Sequence, residues 1–462
     1  MRSIVPSLEV LATTLGNSVL DPRVEPGHPN GCSYAGSMGT ALLTDHYELT
    51  MLASALRDGS AHRECVFEVF ARRLPKERRF GVVAGTGRLL DALADFRFRA
   101  EDLDFLRSAG AVDADTAAWL ESYRFSGDID GYPEGELYFP GSPILTVRGT
   151  FAEAVLLETL ALSILNHDSA IATAAARMVV AASDRPLIEM GSRRTHEEAA
   201  VASARAAYLA GFTATSNLEA GRRYGIPTTG TSAHAFTLLH DTEKAAFSGQ
   251  LAALGVGTTM LVDTYDITAG IRTAIEVAGP TLGAVRIDSG DLGVLAVQAR
   301  QQLDRLGATN TRIVLSGDLD EYAIAALAVA PVDAYGAGTA VVTGSGAPTA
   351  GMVYKLVEVE GRPVAKRSEN KASRGGRKTA VRRYKETGTA IEEIVTTGAA
   401  APQLGEHDRP LQIPLVRSGV RAPEAPTLLQ SREHLEKSLV TLPWEGLSLS
   451  AGEPAIPVLF SS

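Results

Sequence analysis

The chain has 462 residues, 45% hydrophobic and 21% charged, the balance of a globular protein of two or three domains with a large core. Its formal charge of −10 argues against nucleic acid as the main partner, while a small anionic substrate stays open because arginines can cluster locally. Two cysteines, Cys32 and Cys65, exclude a disulfide framework or a cysteine-built zinc site and fit a reducing cytoplasmic setting; no run of about 20 uninterrupted apolar residues offers a membrane helix.

Residues 1–39 are rich in Gly, Pro and Ser and lack both a continuous apolar stretch and a convincing cleavage site, so they read as an unstructured extension. Organised sequence begins just after Met38, a second candidate start. Residues 43–56 predict a short amphipathic helix, 65–70 an alternating strand, and 86–96 a helix after Gly85. The Gly-, Pro- and aromatic-rich stretch 125–147 predicts short strands and turns, and the alanine-rich stretch 151–182 one or two buried helices.

From there the pattern is regular. Strand-like runs at 187–190, 212–215, 226–229, 259–262, 284–287, 312–315 and 332–335 alternate with helical stretches such as 195–210, 267–278, 292–306 and 319–328. The expected fold class is α/β: an irregular (β/α) barrel of about seven or eight strands, with an open doubly wound sheet as the runner-up. An additional α+β domain is expected from the N- and C-terminal regions. The division is an extension at 1–40, an N-terminal domain at 41–150, the barrel at 151–350, a β-rich segment at 351–445 packing on the N-terminal domain, and a tail at 446–462. Within the last parts, 351–359 reads as a strand, 366–383 as a basic patch, 432–438 as a helix, and 453–462 as a mobile end.

In such barrels the site lies at the C-terminal strand ends. Those ends carry Gly191-Ser192-Arg193-Arg194, Ser216-Asn217, Gly230-Thr231-Ser232-Ala233-His234, Asp263, Arg286-Ile287-Asp288-Ser289-Gly290-Asp291, Ser316-Gly317-Asp318 and Gly336-Ala337-Gly338-Thr339. Arginines, carboxylates, one histidine and three glycine-rich turns thus converge on one face. Each has a plainer reading. Gly317 and Gly338 can simply close turns, and Gly317-Asp318 taken alone reads as a helix cap. Arg286 and Asp288, two apart on a strand, can be a buried ion pair, and a lone His234 is more often structural than catalytic. Arg193 and Arg194 at a helix start oppose its dipole, which suggests an anion nearby. Together, the turns after the sixth and seventh strands match the phosphate-holding loops of such folds, and the turn before His234 suits an anion with the imidazole as nucleophile or acid/base.

Other motifs fail. His196-Glu197 opens like HExxH but Ala200 replaces the second histidine, and neither GxxxxGK[ST] nor a correctly placed GxGxxG occurs. Asn166-His167-Asp168, in an apolar helical stretch, reads as a hydrogen-bonded core feature.

With these residues in view, the chain resembles the nicotinate phosphoribosyltransferases, type II phosphoribosyltransferases of NAD salvage. The resemblance runs from about residue 43 to the 440s on Thr44-Asp45-His46-Tyr47-Glu48-Leu49-Thr50, Glu189-Met190-Gly191-Ser192-Arg193-Arg194, Gly230-Thr231-Ser232-Ala233-His234, Arg286-Ile287-Asp288-Ser289-Gly290-Asp291 and Tyr335-Gly336-Ala337-Gly338-Thr339. It implies nicotinate mononucleotide and pyrophosphate made from nicotinate and phosphoribosyl pyrophosphate, with Mg²⁺, and coupling to ATP hydrolysis through a phosphohistidine. Carried over, His234 is the phosphorylated residue and Asp288 holds the ribose hydroxyls. Tyr47, Thr231, Arg286, Met190 and Asn217 face the base. Arg193, Gly317, Asp318, Gly338, Thr339 and Asp45 serve the phosphoribosyl and phosphate groups. The resemblance further implies a homodimer with active sites at the subunit interface, Tyr47 coming from the partner. Met190 stands where many relatives carry Phe, and Asn217 is neutral where amide-selective relatives are acidic, which favours nicotinate over nicotinamide. The competing expectations are a nicotinamide phosphoribosyltransferase and a non-catalytic phosphosugar-binding barrel.

Overall fold

The computed structural model describes residues 39–75, 78–366, 373–398 and 404–461, so the extension expected for 1–39 falls, except for Gly39, outside the described residues. The chain divides into two compact units. Among the described residues, one contains 171–348 and the other those from 39 to 170 and from 349 to 461.

The first unit is built on six parallel strands: β1 (Leu187–Glu189), β2 (Ala214–Thr215), β3 (Thr259–Leu261), β4 (Ala284–Ile287), β5 (Arg312–Gly317) and β6 (Ala334–Ala337). They hydrogen-bond in the order β2-β1-β6-β5-β4-β3. Helices return the chain between strands, as parallel pairing requires; Glu197–Ala210, Ile267–Ala278 and Leu292–Arg305 are three of them. Strand residues are almost all buried, which explains their unbroken apolar runs. A closed ring of seven or eight strands is not what the ladder shows. The expected strand at 226–229 contributes one parallel bridge, Thr228 to Thr215, held by the Thr215 N–H on the Pro227 carbonyl (3.0 Å) and the Thr229 N–H on the Thr215 carbonyl (3.0 Å). Pro227 has no N–H to extend a ladder further.

Polar residues just past the strands start the helices. Asp266, Asp291 and Asn217 accept from the N–H groups of Ala269, Val294 and Ala220, satisfying donors the first turn leaves open. After β5 the cap is Asp320, which accepts from Tyr322 and Ala323, and not the Gly317-Asp318 pair. Helix Glu197–Ala210 starts at the cap His196 with Glu197 and Glu198 in its first turn. Arg193 and Arg194 therefore precede the helix in a separate turn, and the dipole argument for them does not hold.

In the second unit a seven-stranded sheet brings both ends of the chain together. Glu64–Ala71 pairs antiparallel with Met352–Val359 on one edge, Cys65 opposite Val359 and Ala71 opposite Met352, and with Leu145–Thr150 on the other. A four-stranded sheet contains Lys378–Tyr384 and Ala390–Thr397, and the expected mobile end instead supplies Val458–Ser461, parallel to Ala390–Thr397. The described part of the basic stretch is mixed, with Lys366 and Arg374 exposed and Lys378 and Arg382 buried. Lys378 and Arg382 alternate inward and are buried against Glu68 (2.7 Å) and against Glu136 and Glu393. Phe151–Ala182, the one described stretch long and apolar enough to cross a membrane, forms helices Phe151–Val155 and Glu158–Ala182 and is 67% buried over its most apolar window. Core packing accounts for its composition. Asp168 is fully buried, bonded to Arg88 (2.7 Å) and His167 (2.8 Å), as the core reading of that triplet requires.

Candidate active site

The C-terminal ends of the parallel strands gather most of the expected residues of the first unit. Arg286 closes the inner end of β4 with its side chain 12% exposed. Its guanidinium donates to the Thr231 hydroxyl (2.9 Å) and the Ser232 carbonyl (3.4 Å), while Asp288 stands 3.6 Å away. Its Nε is buried without a hydrogen bond. Burial pulls the guanidinium below its ordinary value, against Asp288 and Asp263, and nearby Arg193 adds to the lowering. A narrow pocket opens here, lined by Ile188, Met190, Thr229, Gly230, Thr231, Thr258, Thr259, Arg286 and Val314. A largely enclosed, incompletely satisfied cation at the end of this pocket suits an anionic group.

Asp288 accepts from the Ser316 hydroxyl and is partly open. Behind it Gly317 has φ +121°, and a Cβ there would lie 2.7 Å from the Asp288 carbonyl oxygen, so glycine lets the turn after β5 come this close. Asp318 and Thr339 are exposed at neighbouring strand ends, and Gly338 starts the short helix Thr339–Val342. Met190 lies over Gly336, where a Cβ would meet its sulfur at 2.8 Å. Arg193 is exposed.

His234 opens the helix His234–Leu238. One ring nitrogen, Nδ1, is 3.1 Å from the Thr264 hydroxyl; the other, Nε2, is 3.9 Å from Asp263. Asp263, whose side chain is 1% exposed, accepts from the Asp288 N–H (2.9 Å) and the Ser289 hydroxyl (2.8 Å), and its other oxygen is buried with no hydrogen bond. Sequence reasoning placed Asp263 at a strand end but gave it no role. Its signal was a carboxylate ending the buried run 259–262. Asn217 caps Leu218–Tyr224 and donates its amide to Ser192 (3.0 Å).

Tyr47 and Asp45 belong to the other unit. Asp45 accepts from Thr159 (3.3 Å), and Tyr47 is 45% exposed. Its hydroxyl is pushed up to about 12 by burial and by Glu158, Glu48 and Asp45, which keeps it neutral. Among the described residues no three His, Cys, Asp or Glu side chains cluster to hold a metal ion.

Comparison with known proteins identifies the family. Residues 42–166 match the model of the nicotinate phosphoribosyltransferase N-terminal domain. A nicotinate phosphoribosyltransferase of Mycobacterium tuberculosis is 63% identical over 444 residues, 94% of this chain and 97% of that protein. The Homo sapiens enzyme is 31% identical over 87% of this chain and 91% of its own length. The crystal structure of human nicotinic acid phosphoribosyltransferase superposes with a TM-score of 0.79 at 27% identity, covering 91% of this chain and 98% of that one. The chain belongs to the nicotinate phosphoribosyltransferase family.

Proposed function

We propose that this protein transfers the phosphoribosyl group of phosphoribosyl pyrophosphate to nicotinate, giving nicotinate mononucleotide and pyrophosphate for NAD salvage. The observation that carries the reading is Arg286: largely enclosed beside a pocket, with its hydrogen bonds made to the Thr231 hydroxyl and the Ser232 carbonyl and its nearest carboxylate at 3.6 Å. It would bind the nicotinate carboxylate and leave the ring against Met190. Tyr47, supplied by the partner of a homodimer, would cover the ring. Asn217 adds no negative charge to oppose the carboxylate.

Cleavage at the ribose C1 builds positive charge on the sugar and negative charge on the leaving group. Asp288 would hold the ribose hydroxyls and offset the first. The turns at Gly317-Asp318 and Gly338-Thr339 would hold the 5′-phosphate, with Asp45 also assigned to the phosphoribosyl group. Arg193 would meet the outer phosphates. Mg²⁺, when bound with Asp288 or Asp318, would neutralise the departing pyrophosphate.

His234 would carry a phosphoryl group from ATP. With Nδ1 engaged by Thr264, Nε2 is the nitrogen open to it, and phosphorylation there would add a removable negative charge to the site. We place the protein in the cytoplasm, a setting that suits the free, buried thiol of Cys65. The test is mononucleotide formation from nicotinate and phosphoribosyl pyrophosphate with Mg²⁺, with and without ATP, by the wild type and His234→Ala. The reading expects ATP to stimulate only the wild type. Equal ATP stimulation of both would remove the phosphohistidine from the account.

A further inference from the structure

Glu189 ends β1 and is 1% exposed. Its oxygens are taken by neutral donors, the Gly191 N–H and the Thr215 hydroxyl at 2.6 Å. The Thr215 oxygen accepts in turn from the Asn217 N–H (3.0 Å), and the Asn217 amide donates to Ser192 (3.0 Å), the residue after Gly191. These bonds close a ring joining the ends of β1 and β2. The ring is tight: a Cβ on Gly191 would lie 2.9 Å from a Glu189 oxygen and 3.0 Å from the Gly338 carbonyl.

The chemistry of the ring gives it a direction. A carboxylate only accepts, so Thr215 must donate to it and keep its lone pairs for Asn217. Asn217 has its amide oxygen on the Ala220 N–H (2.9 Å), so its NH₂ faces Ser192. The same strand end leads into Met190, whose N–H is held by the Ala337 carbonyl (2.8 Å).

We propose that Glu189 is a positioning residue: through Thr215 it fixes Asn217 and the turn from Met190 to Arg193, and so sets the preference for nicotinate over nicotinamide. This rests on the base-binding roles given above to Arg286, Met190 and Asn217. In Glu189→Gln the new amide would donate to Thr215 and leave that hydroxyl without its acceptor. Thr215→Val removes the link at nearly constant volume, and Thr215→Ser restores it.

The experiment is steady-state kinetics of the full-length wild type and these variants with nicotinate, nicotinamide and phosphoribosyl pyrophosphate, alongside melting temperatures. Loss of one buried hydrogen bond predicts a KM for nicotinate about tenfold higher in Glu189→Gln and Thr215→Val, with a similar fall in the nicotinate-to-nicotinamide ratio of kcat/KM. The KM for phosphoribosyl pyrophosphate should change less than about twofold, and Thr215→Ser should behave as wild type. Unchanged base preference in both variants overturns the inference while the proposed function stands. So does a parallel rise of both KM values with a falling melting temperature, the mark of a general structural role. A wild type with no nicotinate turnover overturns the proposed function, and the inference with it.

Discussion

Two enclosed arginines, Arg382 fully buried in one unit and Arg286 largely so in the other, face opposite electrostatic situations. Arg382 sits between Glu136 and Glu393 and also donates to the Leu137 carbonyl (2.7 Å). Burial alone would lower its pKa, but the two carboxylates overrule burial and hold it up. Arg286 is nearly as enclosed, yet its hydrogen bonds go to a hydroxyl and a carbonyl, its nearest carboxylate is 3.6 Å away, and burial wins. Both guanidiniums leave Nε buried without a hydrogen bond, but the first is neutralised by two carboxylates in direct contact. The second has its nearest carboxylate at 3.6 Å and makes its hydrogen bonds to neutral groups, which suits the anion-binding role proposed for it.

The largest test of this contrast is Arg382→Ala. Removing the cation deprives the buried Glu393 of its cationic partner and leaves Glu136 to Arg409 and His434, and should cost about 3–5 kcal/mol, read as a lowered denaturant midpoint. Base preference of the folded fraction should be unchanged. Arg286→Ala should do the reverse, lowering kcat/KM for nicotinate about 100-fold, the worth of charge-assisted contacts to a carboxylate, with the midpoint little altered. If Arg286→Ala instead unfolds the protein and spares nicotinate, the two arginines are alike and the contrast fails.

The smallest effect concerns two glutamates. Burial raises Glu136 as well, but Arg382, His434 and Arg409 outweigh it and its carboxyl ends far below the ordinary value. Its stabilisation is therefore complete above the unfolded value and lost as pH falls through the folded one. Glu189 is raised by burial, only partly opposed by Thr215 and Gly191. Between the ordinary value and the raised one the folded chain binds the extra proton, so stability falls as pH rises through that window. The melting temperature of the wild type relative to Glu189→Gln should thus decline by a degree or so from about pH 4 to neutrality. A rising difference would contradict the assignment.

Much of the first unit was legible because parallel strands buried on both faces write continuous apolar runs, and because the residues after them must turn. The runs at 284–287 and 267–278 coincide with the observed strand and helix. What remained hidden depends on partners distant in sequence. Nothing local shows that 226–229 joins the sheet by one bridge, or that the last strand pairs with Ala390–Thr397. The basic stretch 366–383 gave no sign that Lys378 and Arg382 are buried, because their neutralising glutamates lie at 68 and 136. The site showed the same limit. Arg286, Asp288 and the Gly317 turn stood out as residue types at strand ends, whereas the roles of Asp263 and Glu189 follow from burial and from hydrogen bonds across strands.

The most direct measurement of the central claim is base choice by the wild-type protein: phosphoribosyl pyrophosphate, Mg²⁺ and ATP with equal nicotinate or nicotinamide, followed by quantitation of each mononucleotide. The roles proposed for Arg286 and the neutral Asn217 predict nicotinate mononucleotide as the dominant product. Nicotinamide mononucleotide in equal or greater yield, or no mononucleotide from either base, would contradict it.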